Sequence, residues 1–168
     1  MPENSVPENS VTEIRTFTPE DRRALLDILK SGDVFKKDEI DVAMELIDDS
    51  IENPKSDYWI RVATLDRKVV GYICFGPTPM TEATYDLYWI VTHQEATGKG
   101  VATGLIGAME SELSKKPGTA IRVETSQTEG YGAARKLYEK CNYPETARFK
   151  DFYKKGDDLI VYFKKLNA

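Results

Sequence analysis

The apolar positions fall into a helical texture up to Pro54 and an extended one from Tyr58 onward, framed by a short strand at the start. From Thr12 to Phe17, Ile14 alternates with charged and hydroxyl neighbours, which predicts a first strand. Thr18-Pro19-Glu20-Asp21 supplies an N-cap, a proline for the first helical position and acids for the first turn. A helix is therefore expected from there, with Leu25, Leu26, Ile28 and Leu29 inward and a stop near Ser31-Gly32. Ile40, Met44, Ile47 and Ile51 repeat at helical steps and predict a second helix from Lys37 to Glu52, ended by Asn53-Pro54. Tyr58 to Leu65 and Val69 to Phe75, rich in β-branched and aromatic residues, read as a hairpin joined by Asp66-Arg67-Lys68. A third strand from about Thr84 to Val91 completes an antiparallel meander.

A glycine-rich stretch, Thr92 to Ala102, then turns the chain into a helix reaching about Lys115. Pro117-Gly118 turns it again into a strand from Ala120 to Thr125, and this strand-helix-strand unit predicts a right-handed parallel crossover. Tyr131 to Lys140 reads as a short helix, Thr146 to Tyr153 and Leu159 to Lys165 as a closing hairpin around Gly156-Asp157-Asp158. The expected class is α/β of the α+β kind. A mixed, mostly antiparallel sheet of about six to seven strands is flanked by about four helices, with one β-α-β crossover at the glycine turn.

Composition narrows this only a little. The 168 residues suit one domain. The duplicated Pro-Glu-Asn-Ser-Val at the start has no face to bury, so residues 1–11 are expected to be a disordered tail and residues 12–168 the domain. Apolar residues make up 40% and no run of them is long enough for a membrane span, so no membrane partner is expected. Two cysteines and no secretory signal in the first residues point to a reducing cytoplasm. A net charge of -5 argues against a nucleic-acid partner. His93, the single histidine, has no Cys or acid at ligand spacing, so no metal site is expected.

The glycine turn carries the chemistry. Gly98 and Gly100 let backbone approach a ligand closely, and the first amides of the new helix point outward without intrahelical partners at the positive end of its dipole, a setting for phosphate. A Walker loop needs Gly before the lysine and Ser or Thr after it, and here Gly100 follows Lys99. A dinucleotide fingerprint is closer, with Gly98-Lys99-Gly100 and Glu124 about 20 residues on, but its third glycine is Thr103 and a run of parallel βαβ units is missing. It stays as a minor reading, a dinucleotide-binding oxidoreductase.

The order of elements, the turn Gly98-Lys99-Gly100-Val101-Ala102 and the later Ala134-Arg135-Lys136-Leu137-Tyr138-Glu139-Lys140-Cys141-Asn142-Tyr143 together resemble the GCN5-related N-acetyltransferase superfamily, from about Thr12 onward. Gly100 and Ala102 match the end of that family's acetyl-CoA loop, Gln/Arg-x-x-Gly-x-Gly/Ala, while Thr97 replaces its first polar residue. The resemblance implies acetyl-CoA as co-substrate, held by amides from Gly98 through Val101, Ala102 and Thr103, with Lys99 near the phosphates or in solvent. It also implies that two strands splay and that backbone at Ile90, Val91 and Thr92 binds the pantetheine arm. Tyr138 is then the general acid toward the departing thiolate. The family's asparagine three residues before Ala134 is Tyr131 here, and Asn142 stands for a glycine.

The implied reaction is direct attack of an amine on acetyl-CoA in a ternary complex, with a carboxylate or water chain taking the amine's proton. Glu124, at the end of its strand, is the first candidate base and Asp86 the second. Strand alternation places Asp86, Tyr88 and Ile90 on one face, opposite Leu87, Trp89 and Val91. The acceptor is a small-molecule or peptide amine. A monomer or homodimer is expected, and a non-catalytic acyl-CoA-binding module is the alternative. Cys74 and Cys141 read as small buried thiols. The acids along the second helix read as its solvated face, or as a rim that attracts a cationic amine.

Overall fold

The computed structural model describes residues 12–167, so the expected tail at 1–11 lies outside the described residues. Strand β1 (Thr12–Thr16) leads through a 3-10 turn at Pro19–Asp21 into α1 (Arg22–Lys30), followed by α2 (Lys37–Glu52). Strands β2 (Trp59–Leu65), β3 (Lys68–Pro77) and β4 (Thr84–Thr92) come next, then α3 (Val101–Leu113) and β5 (Ala120–Ser126). Helix α4 (Gly132–Lys140) and the strands β6 (Glu145–Lys154) and β7 (Asp157–Lys165) close the chain.

The α-helix starts three residues later than the sequence suggests, because Asp21 does more than sit in a first turn. Its Oδ2 accepts the Thr18 backbone N–H at 2.9 Å, its own N–H bonds Thr18 O at 2.9 Å, and Arg15 grips the carboxylate at 2.7 and 2.9 Å. That tightened turn is 3-10 in character. Helix α2 has its expected bounds and buries Ala43, Met44 and Ile47. In the first hairpin Asp66 and Arg67 both take positive φ, 50° and 68°, the pairing a two-residue type I′ connection demands, so Lys68 belongs to β3.

The seven strands form one sheet in the order β1-β2-β3-β4-β5-β7-β6. Every neighbouring pair is antiparallel except β4 with β5, the crossover that α3 spans. A single parallel ladder offers no succession of βαβ units, so the fold is not that of a dinucleotide-binding oxidoreductase. In the last hairpin it is β7 that enters the sheet beside β5. Leu159, Ile160 and Tyr162 of β7 are buried, whereas β6, with Arg148, Lys150, Asp151 and Lys154, lies exposed at the edge, where charge discourages further pairing.

Each face of the sheet has its own core. Helices α3 and α4 cover one face with Leu105, Ile106, Met109 and Tyr138 against Phe75, Leu87, Ile121 and Ile160. Helices α1 and α2 cover the other with Leu25, Leu29, Ala43 and Ile47 against Ile60, Val62, Tyr72 and Val91. Complete burial of each such aliphatic side chain stabilises the fold by about 1.5–3 kcal/mol. Among the described residues no helix is long and apolar enough to cross a membrane.

Strict alternation along β4 is broken. Phe75 faces Leu87 and Cys74 faces Trp89, so Tyr88 has no partner of its own on β3 and forms a β-bulge. The extra residue reverses the side-chain alternation. Leu87 joins the core under α3, whereas Trp89 and Val91 pack under α1 and α2. The shared face expected for Leu87, Trp89 and Val91 is therefore corrected, and Asp86 and Ile90 are separated as well.

Candidate active site

Strands β4 and β5 run together from Thr84 opposite Ala120 only to Leu87 opposite Val123. Beyond that point β4 stays on β3 and β5 stays on β7, so the two diverge from the bulge onward and leave a wedge at their carboxyl ends. The His93 N–H bonds Val70 O on β3 at 2.7 Å. Because backbone groups of successive strand residues point to opposite edges, Val91 also faces β3, while Ile90 and Thr92 turn their N–H and C=O into the wedge. Of the three backbone positions expected to hold an extended arm, Ile90 and Thr92 are thus available and Val91 is not. The Thr92 hydroxyl is buried without a hydrogen-bond partner. A buried orphan of this kind is costly unless a guest supplies the bond.

At the mouth of the wedge lies the glycine turn. His93 accepts the Glu95 N–H on Nδ1 at 3.2 Å and caps a 3-10 turn at Gln94–Ala96, so it is a structural loop residue. The Thr97 N–H bonds Gln94 O, which removes Thr97 from the free donors. Gly98 and Gly100 both take positive φ, 79° and 77°, and a Cβ at either would meet nothing within 4 Å, so open space lies beside the backbone there. Gly100 is the left-handed N-cap of α3, and the first helical bond is Gly104 N–H to Gly100 O. Amides from Gly98 to Thr103 therefore have no protein acceptor among the described residues. Val101 buries its side chain at 2% exposure, and Lys99 is exposed without an ion pair among the described residues. Unpaired amides at a helix start, an adjoining strand edge and an orphan hydroxyl suit a phosphate-bearing, amide-bearing chain such as CoA.

Tyr138 stands over the fork. Its ring lies 5.5 Å from that of Tyr162, which pairs with Val123, the last β5 residue bonded to β4, and 6.2 Å from Tyr143. No hydrogen bond engages its hydroxyl among the described residues. Burial, and then Tyr162, push the phenol well above its ordinary range, so it is a neutral donor throughout the physiological pH range.

The two candidate carboxylates part company. Arg122 binds both oxygens of Asp86 at 2.7 and 3.2 Å, and Thr78 Oγ1 donates to it at 2.7 Å. With its lone pairs so engaged and its residue 8% exposed, Asp86 ties β4 to β5 and is poorly suited to take a proton. Glu124 has half its side chain exposed and only Arg122 Nη1 at 4.0 Å, so its oxygens are free. Composition of the other wall was not legible in the sequence. Phe35, between α1 and α2, packs on Trp89 at 5.3 Å and on Tyr131 at 6.4 Å, and the Tyr131 hydroxyl donates to Glu39 Oε1 of α2. Only the absence of asparagine at Tyr131 hinted at it. Ser31 Oγ accepts the Gln94 N–H at 3.0 Å and ties the segment after α1 to the glycine turn. Among the described residues no three His, Cys, Asp or Glu gather to hold a metal.

No curated protein matches the chain by sequence. The family model for the acetyltransferase (GNAT) family matches residues 22–143. A crystal structure of a protein from Desulfovibrio desulfuricans, named as an acetyltransferase of the GNAT family, shares 32% identity with a TM-score of 0.86, covering 93% of this chain and 99% of that one. The ribosomal-protein-S18-alanine N-acetyltransferase of Escherichia coli superposes at a TM-score of 0.73 and 17% identity, over 94% and 96% of the two chains. An acetyltransferase from Salmonella typhimurium, solved with its cofactor acetyl-CoA, gives 0.70 and 16% over 95% and 96%. These two likenesses are of fold alone. With the family match running from α1 through α4, across the wedge and the glycine turn, the chain belongs to the GNAT family of acetyltransferases.

Proposed function

We propose that this chain is an N-acetyltransferase that moves the acetyl group of acetyl-CoA to an amine by direct attack in a ternary complex. The observation that carries the reading is the wedge between β4 and β5, with partnerless amides at its mouth and Tyr138 over its fork. Bound acetyl-CoA supplies an activated thioester. The amides of Gly98 to Thr103, aided by the α3 dipole, hold its phosphates, and Ile90 and Thr92 hold its amide-bearing arm as an added strand would be held. Tyr138 donates a hydrogen bond, and then its proton, to the leaving sulfur. Desolvation at the fork raises the basicity of a thiolate as it raises the phenol's pKa, so burying Tyr138 does not by itself widen the gap between them.

Glu124 acts on the amine. A primary amine with a pKa near 10 is neutral in roughly one molecule in a thousand at pH 7, so a base is needed to free its lone pair. Glu124 takes that proton directly or through water, while Asp86 and Arg122 hold the two strands where they begin to part. Protein acting on a soluble amine needs no membrane attachment, and we place the reaction in the cytoplasm.

The reading is tested with Tyr138→Phe, followed by thiol release from acetyl-CoA with a panel of amines and by calorimetry of acetyl-CoA binding. Turnover is expected to fall by about 10²-fold with acetyl-CoA affinity retained. Unchanged turnover removes Tyr138 from its role. Binding without thiol release from any amine leaves a CoA-binding module instead.

A further inference from the structure

The wall of the wedge on the α1–α2 side carries a contact that the reaction as described does not use. Tyr131, between β5 and α4, reaches across to Glu39 near the start of α2, so one hydrogen bond joins elements 92 residues apart on opposite sides of the cleft. Beneath it the rings of Tyr131, Phe35 and Trp89 follow one another in edge-to-face contact, and Trp89 stands on β4 next to the bulge. Glu39 Oε2 accepts the Lys36 N–H at 2.7 Å and Oε1 accepts the Tyr131 hydroxyl. Two of roughly four lone-pair positions are thus filled, both by neutral donors. Among the described residues no Lys or Arg pairs with Glu39, although Lys37, two residues earlier, is paired with Asp41. Burial, and then Glu39, raise the Tyr131 phenol's pKa, with smaller contributions from Tyr153 and Asp157.

A carboxylate held in place, uncompensated by any cation and bordered by aromatic rings is suited to receive an ammonium group. The reacting amine must lose its charge, so this receptor serves a second positive group of the acceptor. We propose that Glu39, positioned by Tyr131, is the specificity-determining carboxylate of the acceptor cleft and selects diamine-type acceptors that stay protonated at the end remote from the acetylated nitrogen. The proposal rests on the acetyl-transfer reading for the cleft's role. It adds what the cleft recognises.

The probes are α,ω-diamines of three to six carbons set against monoamines of equal length. Glu39→Gln keeps an oxygen for the Lys36 N–H, so α2 retains its start. In thiol-release kinetics the KM of the diamine is expected to rise about tenfold more than that of its monoamine, equivalent to about 1.4 kcal/mol. Tyr131→Phe should narrow the same ratio by less while acetyl-CoA affinity holds. Equal shifts for both amines, or none, overturn the proposal, as does loss of acetyl-CoA binding in Tyr131→Phe, which would assign that residue to the cofactor. Calorimetry of the diamine on CoA-saturated protein reads the same recognition without turnover. Equal affinity for wild type and Glu39→Gln, or none for either, overturns the proposal. Glu39-dependent binding with no thiol release from any amine overturns acetyl transfer and leaves the recognition standing.

Discussion

Replacing Gly100 with Asp and with Asn separates charge from shape at the phosphate end of the site. Gly100 has φ 77° and open space where a Cβ would stand, so either side chain enters without a steric collision. Both residues tolerate the left-handed conformation better than most, and the backbone cost is about 1 kcal/mol. On a chain of this size that lowers Tm by roughly 2–4 °C in both variants alike. Their difference is then the carboxylate, set at the N-cap of α3 beside the partnerless amides. A unit charge about 4 Å from a phosphate, at an effective dielectric near 20, meets about 4 kcal/mol of repulsion, and a side chain free to swing into solvent relieves about half of it. A loss of about 2–3 kcal/mol corresponds to acetyl-CoA binding roughly 10²-fold weaker in Gly100→Asp than in Gly100→Asn. Isothermal calorimetry on both, with thermal melts to confirm the common fold, measures it. The gap should shrink at 1 M salt, where the screening length is about 3 Å. Equal Kd values for the two variants, or a gap indifferent to salt, would refute the placing of phosphate at these amides.

Asp21 is held below the usual carboxylate range, first by hydrogen bonds from Arg15 and then by those from Thr18, against the cost of burial. Its folded pKa is depressed, so the stability it contributes is present above about pH 4, its unfolded value, and disappears as pH falls through the folded value. Asp21→Asn should therefore cost about 1.5–3 kcal/mol at pH 7 in urea unfolding, and progressively less as pH falls below about 4. A deficit independent of pH would contradict the ion-pair account. Asp86→Asn is expected to lower stability by about 1–2 kcal/mol, Arg122 being open to water on its other side, while the pH profile of kcat/KM keeps its shape. Glu124→Gln should instead lower kcat/KM by about 10²-fold with little change in stability. The reverse pattern would exchange the two roles.

Features governed by local rules were legible in the order of residues alone. Ile40, Met44, Ile47 and Ile51 can share a face only in a helix, so α2 was legible to its last residue. Glycines at 98 and 100 ahead of an apolar helical run could only mark a turn with free amides, whatever packed around it. The resemblance and position along the chain single out Tyr138 and Glu124 as the proposed acid and base, and both lie near the end of the β4–β5 ladder. Pairings between distant segments, which local pattern does not encode, came from the folded arrangement. One unpaired residue, Tyr88, reverses the faces of β4 and lets it leave β5, because a period of two carries no memory past an insertion. Asp86 is engaged by Arg122, a residue 36 positions away, and Glu39 by Tyr131, 92 away, so which acid is free and which is held depended on strand order and helix placement. Side-chain chemistry is written in the sequence, but whether a carboxylate is a base, a strut or a receptor is set by what the fold brings within about 3 Å of it.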